Sequence, residues 1–160
     1  MTEQSVAKIL KSNPWFDGLS DVHFQSMVSI AKEVRWPAGT VIFREGEIAT
    51  HLYLIIKGHV ALEMNVPSRG KKTILTVGKD DVFGWSSVVP VVGIKTTSAR
   101  SIQDTHAIGF DAHALRKLCE LNHELGYLVY RRLTNVIAAR LTATRLQLLD
   151  MYGDDSGGSS

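Results

Sequence analysis

Glycines divide the middle of the chain into short segments of similar length. Six of them stand at positions 39, 46, 58, 70, 78 and 84, at intervals of six to twelve residues. Between them lie runs rich in β-branched, aliphatic and aromatic residues, at 41–43, 52–56, 59–64 and 73–77. Short strands with turn signals at this interval are typical of a β-sandwich or jelly roll. The sequence therefore predicts a strand-rich zone from 34 to 110, closed by strands at 97–101 and 107–110.

Helical patterns flank this zone on both sides. Residues 1–33 contain Ser20, a good N-cap, followed by apolar residues at near-helical spacing. Residues 111–151 open with Asp111, a second N-cap candidate, and continue without a proline or a turn signal typical of loops. We therefore expect helices before the strands and a long helical region after them.

The length and composition suit one globular domain. The chain has 160 residues, of which 44% are hydrophobic and 21% are charged. We expect a single domain over 1–151 with an α+β fold: a β-roll or jelly roll (double-stranded β-helix) flanked by N-terminal helices and a long C-terminal helix. The segment 152–160 is rich in glycine, serine and aspartate, has nothing to bury, and is expected to be disordered.

Charge, cysteine content and hydropathy exclude several classes of protein. A net charge of +2 is too small to indicate a nucleic-acid surface. Cys119 is alone, so neither a disulfide framework nor a multi-cysteine metal site is expected. Residues 1–4 lack the features of a signal peptide, and no apolar run approaches the ~20 residues that span a bilayer. We expect a cytoplasmic protein without a membrane segment.

Two neighbouring stretches near the end of the strand-rich zone suit the binding of a compact anion. The first has a turn glycine and a short helical segment with free backbone N–H groups, and the second has a cation next to hydroxyl side chains. These stretches are Phe83-Gly84-Trp85-Ser86-Ser87 and Lys95-Thr96-Thr97-Ser98-Ala99. A helix start and a nearby ammonium group are typical ways to hold a phosphate.

The chain resembles the cyclic-nucleotide-binding sensory domains of the Crp/Fnr family. The resemblance is carried by the glycine-centred segments 39–47, 52–60 and 77–84, which occur in the family's order, and by the two stretches just described, which resemble its phosphate-binding cassette. Matching segments cover most of residues 16–150. The resemblance implies a β-roll that binds a cyclic nucleotide, with no cofactor and no metal.

The resemblance also implies the ligand-binding residues, which are Phe83, Gly84, Trp85, Ser86, Ser87, Lys95, Thr96 and Arg132. Two positions depart from the family pattern. Lys95 replaces an arginine, which keeps the charge but loses the bidentate geometry. Trp85 replaces the glutamate that accepts a hydrogen bond from the ribose 2′-hydroxyl, and indole has no acceptor. Whether the ligand is cyclic AMP or cyclic GMP is therefore not determined by the sequence. Three interpretations remain: weak binding of a nucleotide, binding of a different anion, and a pocket that Trp85 itself fills.

A stripe of residues along the last helix predicts a dimer interface. Its members alternate four and three residues apart, as in a coiled-coil seam: Tyr130, Thr134, Ile137, Leu141, Thr144, Leu148 and Met151. In the family, polar residues of this helix reach the base across the dimer, and Thr134, Asn135 and Thr142 are candidates here. The alternative is a helix that packs only on its own β-roll.

Two functions from different classes remain. The first is a regulatory sensor: a homodimer that binds a small anionic ligand and signals to an unknown protein partner. The second is a degenerate dimerisation or scaffold module of the same fold. An enzyme is not expected, because no His-x-His pair of a metal-dependent cupin occurs, and Ser86 and Ser87 have no evident catalytic base. Only a few residues follow Leu149, so we expect no helix-turn-helix domain and no specific DNA binding from this chain.

Overall fold

The computed structural model describes residues 3–89 and 95–156. Within these ranges the helices are α1 (Glu3–Lys11), α2 (Asp21–Ser29), α3 (Ala112–Leu121) and α4 (His123–Ser156), and a short 3₁₀ helix spans Pro14–Phe16. Both predicted N-caps are confirmed: the Ser20 hydroxyl accepts from the N–H of His23 at 3.2 Å, and the Asp111 carboxylate accepts from the N–H of Ala114 at 2.8 Å. Each side chain satisfies a backbone donor that the first helical turn leaves unpaired.

Between α2 and α3 the described residues form eight strands. They are β1 (Ala31–Trp36), β2 (Val41–Phe43), β3 (His51–Lys57), β4 (Val60–Val66), β5 (Gly70–Val77), β6 (Val82–Phe83), β7 (Ser98–Ser101) and β8 (Thr105–Asp111). Two antiparallel sheets result, with strand orders β1-β8-β3-β6 and β2-β7-β4-β5. The predicted fold class is confirmed: the strands form a β-roll that helices flank on both sides.

The first strand begins earlier than the sequence predicted. Ile30 is the C-cap of α2, and β1 starts at Ala31 rather than near residue 34. The boundary is set by pairing with β8, in which Ala31 lies opposite Phe110 and Trp36 lies opposite Thr105. Such long-range pairing outweighs local helix propensity, and it cannot be seen in the segment itself.

Two apolar clusters hold the molecule together. One lies between the helices and the first sheet and includes Phe16, Phe110 and Leu133. The other lies inside the roll and includes Phe83 and Ile55. Aromatic rings stack within it, as Tyr53 does on Phe83, with ring centroids 5.2 Å apart. Because the second cluster fills only part of the roll, space remains near β4 and β5 that α4 covers.

Helix α4 is longer than the sequence predicted. Its first half is anchored by the buried side chains of Leu125, Val129 and Leu133. The helix continues to Ser156, so the segment 152–156 is helical rather than irregular as expected, and 157–160 lie outside the described residues. Adding residues to an existing helix is far easier than starting one, so no burial is needed there. None of the described helices combines the length and the apolar character that crossing a membrane requires.

Gly58, between β3 and β4, provides a test of this architecture. It has φ of +110°, and an added Cβ would lie 2.7 Å from the Cα of Thr105 and 2.8 Å from the carbonyl oxygen of Asp104. We expect Gly58→Ala to destabilise the protein by about 2–5 kcal/mol, because a strained backbone and a collision with backbone atoms add together.

The matched control is Gly46→Ala, at φ of +87° with nothing within 4 Å of the added Cβ. It should cost only about 1–2 kcal/mol, the conformational part alone. Urea denaturation of both variants measures the difference. Equal stabilities for the two variants would contradict the close approach of Gly58 to the turn before β8.

Candidate functional site

A pocket lies between the second sheet, the two predicted anion-binding stretches and α4. Its volume is about 370 Å³, within the roughly 300–1,000 Å³ typical of small-molecule sites. The described lining residues are Phe43, Leu62, Met64, Ile74 and Leu75 from the strands, Gly84, Trp85, Ser86, Lys95, Thr96 and Thr97 from the two stretches, and Ile137, Arg140, Leu141 and Thr144 from α4. The sheet, the loop region and the helix therefore all contribute to one cavity.

Gly84 makes the turn into this pocket. It has φ of +82°, and an added Cβ would lie 2.6 Å from the carbonyl oxygen of His51 and 3.0 Å from Nζ of Lys95. Only glycine allows both the backbone conformation and this approach. A short 3₁₀ helix, Trp85–Ser87, follows at once. Its first N–H groups have no acceptor within the helix, and Trp85 and Ser86, which carry them, line the pocket.

Lys95 is a buried cation at the same wall. Its side chain is only 3% exposed, and Nζ donates to the carbonyl oxygen of His51 at 3.1 Å. The ammonium also lies 4.2 Å from the centre of the Phe43 ring. It forms no ion pair with any carboxylate of residues 3–89 and 95–156. Burial lowers the pKa of Lys95 to about 8, because a charged group is poorly solvated there.

Trp85 forms part of the wall and does not fill the pocket. Its side chain is half-buried and packs against the apolar cluster on the helix side of the roll. The cavity beside it keeps its volume of about 370 Å³. The interpretation that Trp85 itself occupies the binding site is therefore not the arrangement in this structure.

The structure brings five of the eight predicted site residues to the pocket: Gly84, Trp85, Ser86, Lys95 and Thr96. Phe83 instead lies in the core of the roll with 0% exposure. Its ring packs beside Phe43, with ring centroids 6.0 Å apart, so it supports the pocket wall from within the core and is not among the described lining residues.

Ser87 and Arg132 are also absent from the described pocket lining. The Ser87 hydroxyl donates to the carbonyl oxygen of Gly84 at 2.7 Å, which closes the turn. Arg132 lies on another face of α4, where it donates to the carbonyl oxygen of Asp17 and stacks over the Trp15 ring, 5.7 Å from its centre. The assignment of Arg132 to the ligand site is thus replaced by a role in holding α4 to the N-terminal segment.

Arg140, and not Arg132, is the α4 cation among the described lining residues of the pocket, and it was not among the predicted site residues. Its guanidinium donates to the carbonyl oxygen of Val82. Burial lowers the pKa of Arg140, and the nearby charge of Asp81 opposes that shift. The signal was present in the sequence, since Arg140 and Leu141 follow Ile137 by three and four residues, the two spacings at which helix side chains are neighbours.

The predicted stripe on α4 is divided between two environments. Ile137, Leu141 and Thr144 line the pocket of their own β-roll, while Leu148 and Met151 are about half exposed. The middle of the stripe thus lies beside its own roll, but Leu141, like Leu148 and Met151, is about half exposed, so a dimer contact along the stripe stays a prediction. Of the polar candidates for base contact, Thr134, Asn135 and Thr142 are all absent from the pocket lining.

Metal-binding groups do not gather in the described part of the chain. Among residues 3–89 and 95–156, no three histidine, cysteine, aspartate or glutamate side chains come together in a way that could hold a metal ion. Cys119 is buried in the apolar cluster, and burial raises the pKa of its thiol to about 11. The buried lysine and the cavity beside it are therefore the chemically distinctive site of this region.

Comparison with known proteins agrees with this geometry. Among curated proteins, the chain is similar to the CRP-like cAMP-activated global transcriptional regulator of Mycobacterium tuberculosis, with 31% identity over 144 residues that cover 89% of this chain and 62% of the relative. It is also similar to the cyclic AMP receptor protein of Thermus thermophilus, with 30% identity over 78% of this chain and 59% of the relative. The chain thus spans about three fifths of the length of these curated relatives.

Solved structures show the same architecture. The catabolite activator protein of Thermus thermophilus matches with a TM-score of 0.70 and 25% identity, over 88% of this chain and 63% of that one. A cyclic nucleotide-binding domain from Methylobacillus flagellatus matches in fold, with a TM-score of 0.77 and 23% identity over 93% and 83% of the two chains. A family model described as the cyclic nucleotide-binding domain matches residues 33–122. Since that model covers more than half of its residues, the chain belongs to the cyclic nucleotide-binding domain family.

Proposed function

We propose that this protein is a regulatory small-molecule sensor that binds one phosphate-containing anion in its pocket and signals through a dimeric α4. The proposal rests on one observation, the buried ammonium of Lys95 at the wall of an open cavity. A buried charge without a charged partner is unfavourable unless something compensates it. A bound anion supplies that compensation.

The surroundings of Lys95 suit a phosphate group. Trp85 and Ser86, whose N–H groups have no acceptor within their short helix, line the same wall as Lys95, as does Thr96 with its hydroxyl group. Oriented backbone N–H groups and a cation act together on a compact anion. Two curated relatives are named for cyclic AMP, which makes cyclic AMP the natural first probe of this site.

Contacts with α4 offer a route from ligand to output. Ile137, Arg140 and Leu141 line the pocket that Lys95 lines, so a ligand there contacts the helix directly. A ligand shifts a conformational equilibrium only by binding its two states differently. Because α4 forms one wall of the pocket, the affinity of the pocket for its ligand changes when α4 moves.

Replacing Lys95 tests the anion site. We expect Lys95→Met to weaken binding of cyclic AMP about 10- to 150-fold, since a charged hydrogen bond is worth about 1.5–3 kcal/mol. Isothermal titration calorimetry measures the affinity, and tryptophan fluorescence, to which Trp85 contributes together with Trp15 and Trp36, gives a second readout. The variant should stay folded, because Met fills the same space without burying a charge.

The matched control is Lys57→Met, on an exposed side chain at the end of β3. It should leave the affinity unchanged. If the wild-type protein binds neither cyclic AMP nor cyclic GMP nor inorganic phosphate, the sensor function is wrong and the scaffold module takes its place.

The pH dependence of binding provides a further test. A bound anion favours the charged form of Lys95, so its pKa of about 8 in the free protein rises in the complex. Affinity for cyclic AMP should be constant below about pH 7.5 and then fall by up to about tenfold per pH unit above pH 8, because the free site loses its proton. Titrations from about pH 7 to pH 10 measure this, since the phosphodiester keeps its charge throughout.

Lys95→Arg is the matched variant for the pH series. Its guanidinium stays protonated over the whole range, so its affinity should show no such decline. A wild-type affinity that is the same at both ends of the series would show that the Lys95 ammonium does not contact the ligand.

The dimer part of the proposal is tested on the exposed end of α4. Leu148 belongs to the predicted stripe and is 55% exposed, whereas Leu146 lies off the stripe and is 58% exposed. We expect Leu148→Glu to raise the dimer dissociation constant at least about tenfold, because it places charge in an apolar seam, and Leu146→Glu to have little effect. Sedimentation velocity measures both. A monomeric wild-type protein, or equal effects of the two variants, would contradict a dimer through this stripe.

A further inference from the structure

We infer that the pocket prefers an organic anion with an apolar body, such as an aryl or alkyl phosphate, over one with a ribose. The inference rests on the proposed function, because the anionic group of the ligand would lie at Lys95. It adds the chemical character of the part of the ligand that is not the anionic group. It depends on the side chains that face the cavity beyond the cation.

The greater part of the pocket wall away from Lys95 is apolar. Trp85 belongs to it, together with side chains from three strands and from α4, which are Phe43, Leu62, Met64, Ile74, Leu75, Ile137 and Leu141. Surfaces of this kind release water when an apolar group covers them, and they offer nothing to a hydroxyl group.

No carboxylate faces the cavity among the described lining residues. The residues at 90–94, Pro-Val-Val-Gly-Ile, have no acidic side chain either. Two acidic residues of the second sheet and its adjoining turn are engaged elsewhere: Glu63 forms an ion pair with Arg100, with Nε and Oε1 3.2 Å apart, and Oε2 of Glu45 accepts from the N–H of Asn65 at 3.4 Å. A ribose would lose its hydrating water without a charged acceptor to replace it.

The hydroxyl groups that do line the pocket are neutral and partly used. Thr144 already donates to the carbonyl oxygen of Arg140 at 2.8 Å. Neutral hydrogen bonds are roughly half as strong as those to a carboxylate. At the wall, Trp85 offers a single donor and a large apolar face. Sugar hydroxyls therefore gain little here, whereas an aryl ring or an alkyl chain gains contact with most of the lining.

Two probes that carry the same phosphate monoester test whether the pocket prefers an apolar group or a sugar. Phenyl phosphate carries an apolar ring, and ribose 5-phosphate carries a sugar. Calorimetric titration of the wild-type protein should give at least about tenfold tighter binding of phenyl phosphate, because the ring buries apolar surface that the sugar cannot. Equal or tighter binding of ribose 5-phosphate overturns the inference and leaves the proposed function intact. Binding of neither probe, nor of cyclic AMP, overturns the proposed function and with it the inference.

Two leucines on α4 serve as matched variants. Leu141 lines the pocket and is 51% exposed, and Leu146 lies outside the lining and is 58% exposed, so neither substitution empties the core. Leu141→Asn should weaken phenyl phosphate about tenfold and leave ribose 5-phosphate unchanged, while Leu146→Asn affects neither. Lys95→Met should weaken both probes. Unchanged binding of phenyl phosphate to Leu141→Asn would overturn the assignment of the apolar body to this wall.

Discussion

The contact between the Lys95 ammonium and the backbone of His51 determines the character of the site. The ammonium is held at 3.1 Å from that carbonyl oxygen and over the Phe43 ring, in a space that exists only because Gly84 has no side chain. A single neutral acceptor and a ring face do not neutralise a cation. The fold thus keeps one charge incompletely compensated at the edge of an apolar cavity, and burial lowers its pKa accordingly. The anion binding that we propose and the pH dependence expected of it both follow from this arrangement.

Local sequence signals predicted the fold well where the cause is local. Ser20 and Asp111 were identified as N-caps because a side-chain oxygen there satisfies a donor a few residues later. The spacing of glycines indicated the strands for a similar reason, since turns need residues that accept positive φ. Boundaries set by distant partners were not accessible in this way. The start of β1 depends on β8, in which the partner of Ala31 is Phe110, 79 residues later in the chain.

The candidate site was predictable in the two stretches around Gly84 and Lys95, and less so on α4. Phe83 was assigned to the ligand with its neighbours, but its ring packs in the core of the roll. For α4, the helical period correctly grouped Ile137, Leu141 and Thr144, but which direction that face points depends on how the helix rests on the roll. Arg132 and Arg140 illustrate this. They are eight residues apart, yet one holds the N-terminal segment and the other faces the cavity.

The two halves of α4 are attached to the roll by different forces, and this difference bears on signalling. Leu125, Val129 and Leu133 bury the first half in the core, where removing any one would leave a cavity. Beyond them, the described attachments include single side-chain bonds to carbonyl groups, from Arg140 to Val82 and from Gln147 to Ile74. Bonds of this kind are individually weak in net terms because water competes for both partners. The half of the helix that covers the pocket is thus the half with the fewer buried apolar anchors, so the proposed ligand would act on the part of α4 that is easiest to displace.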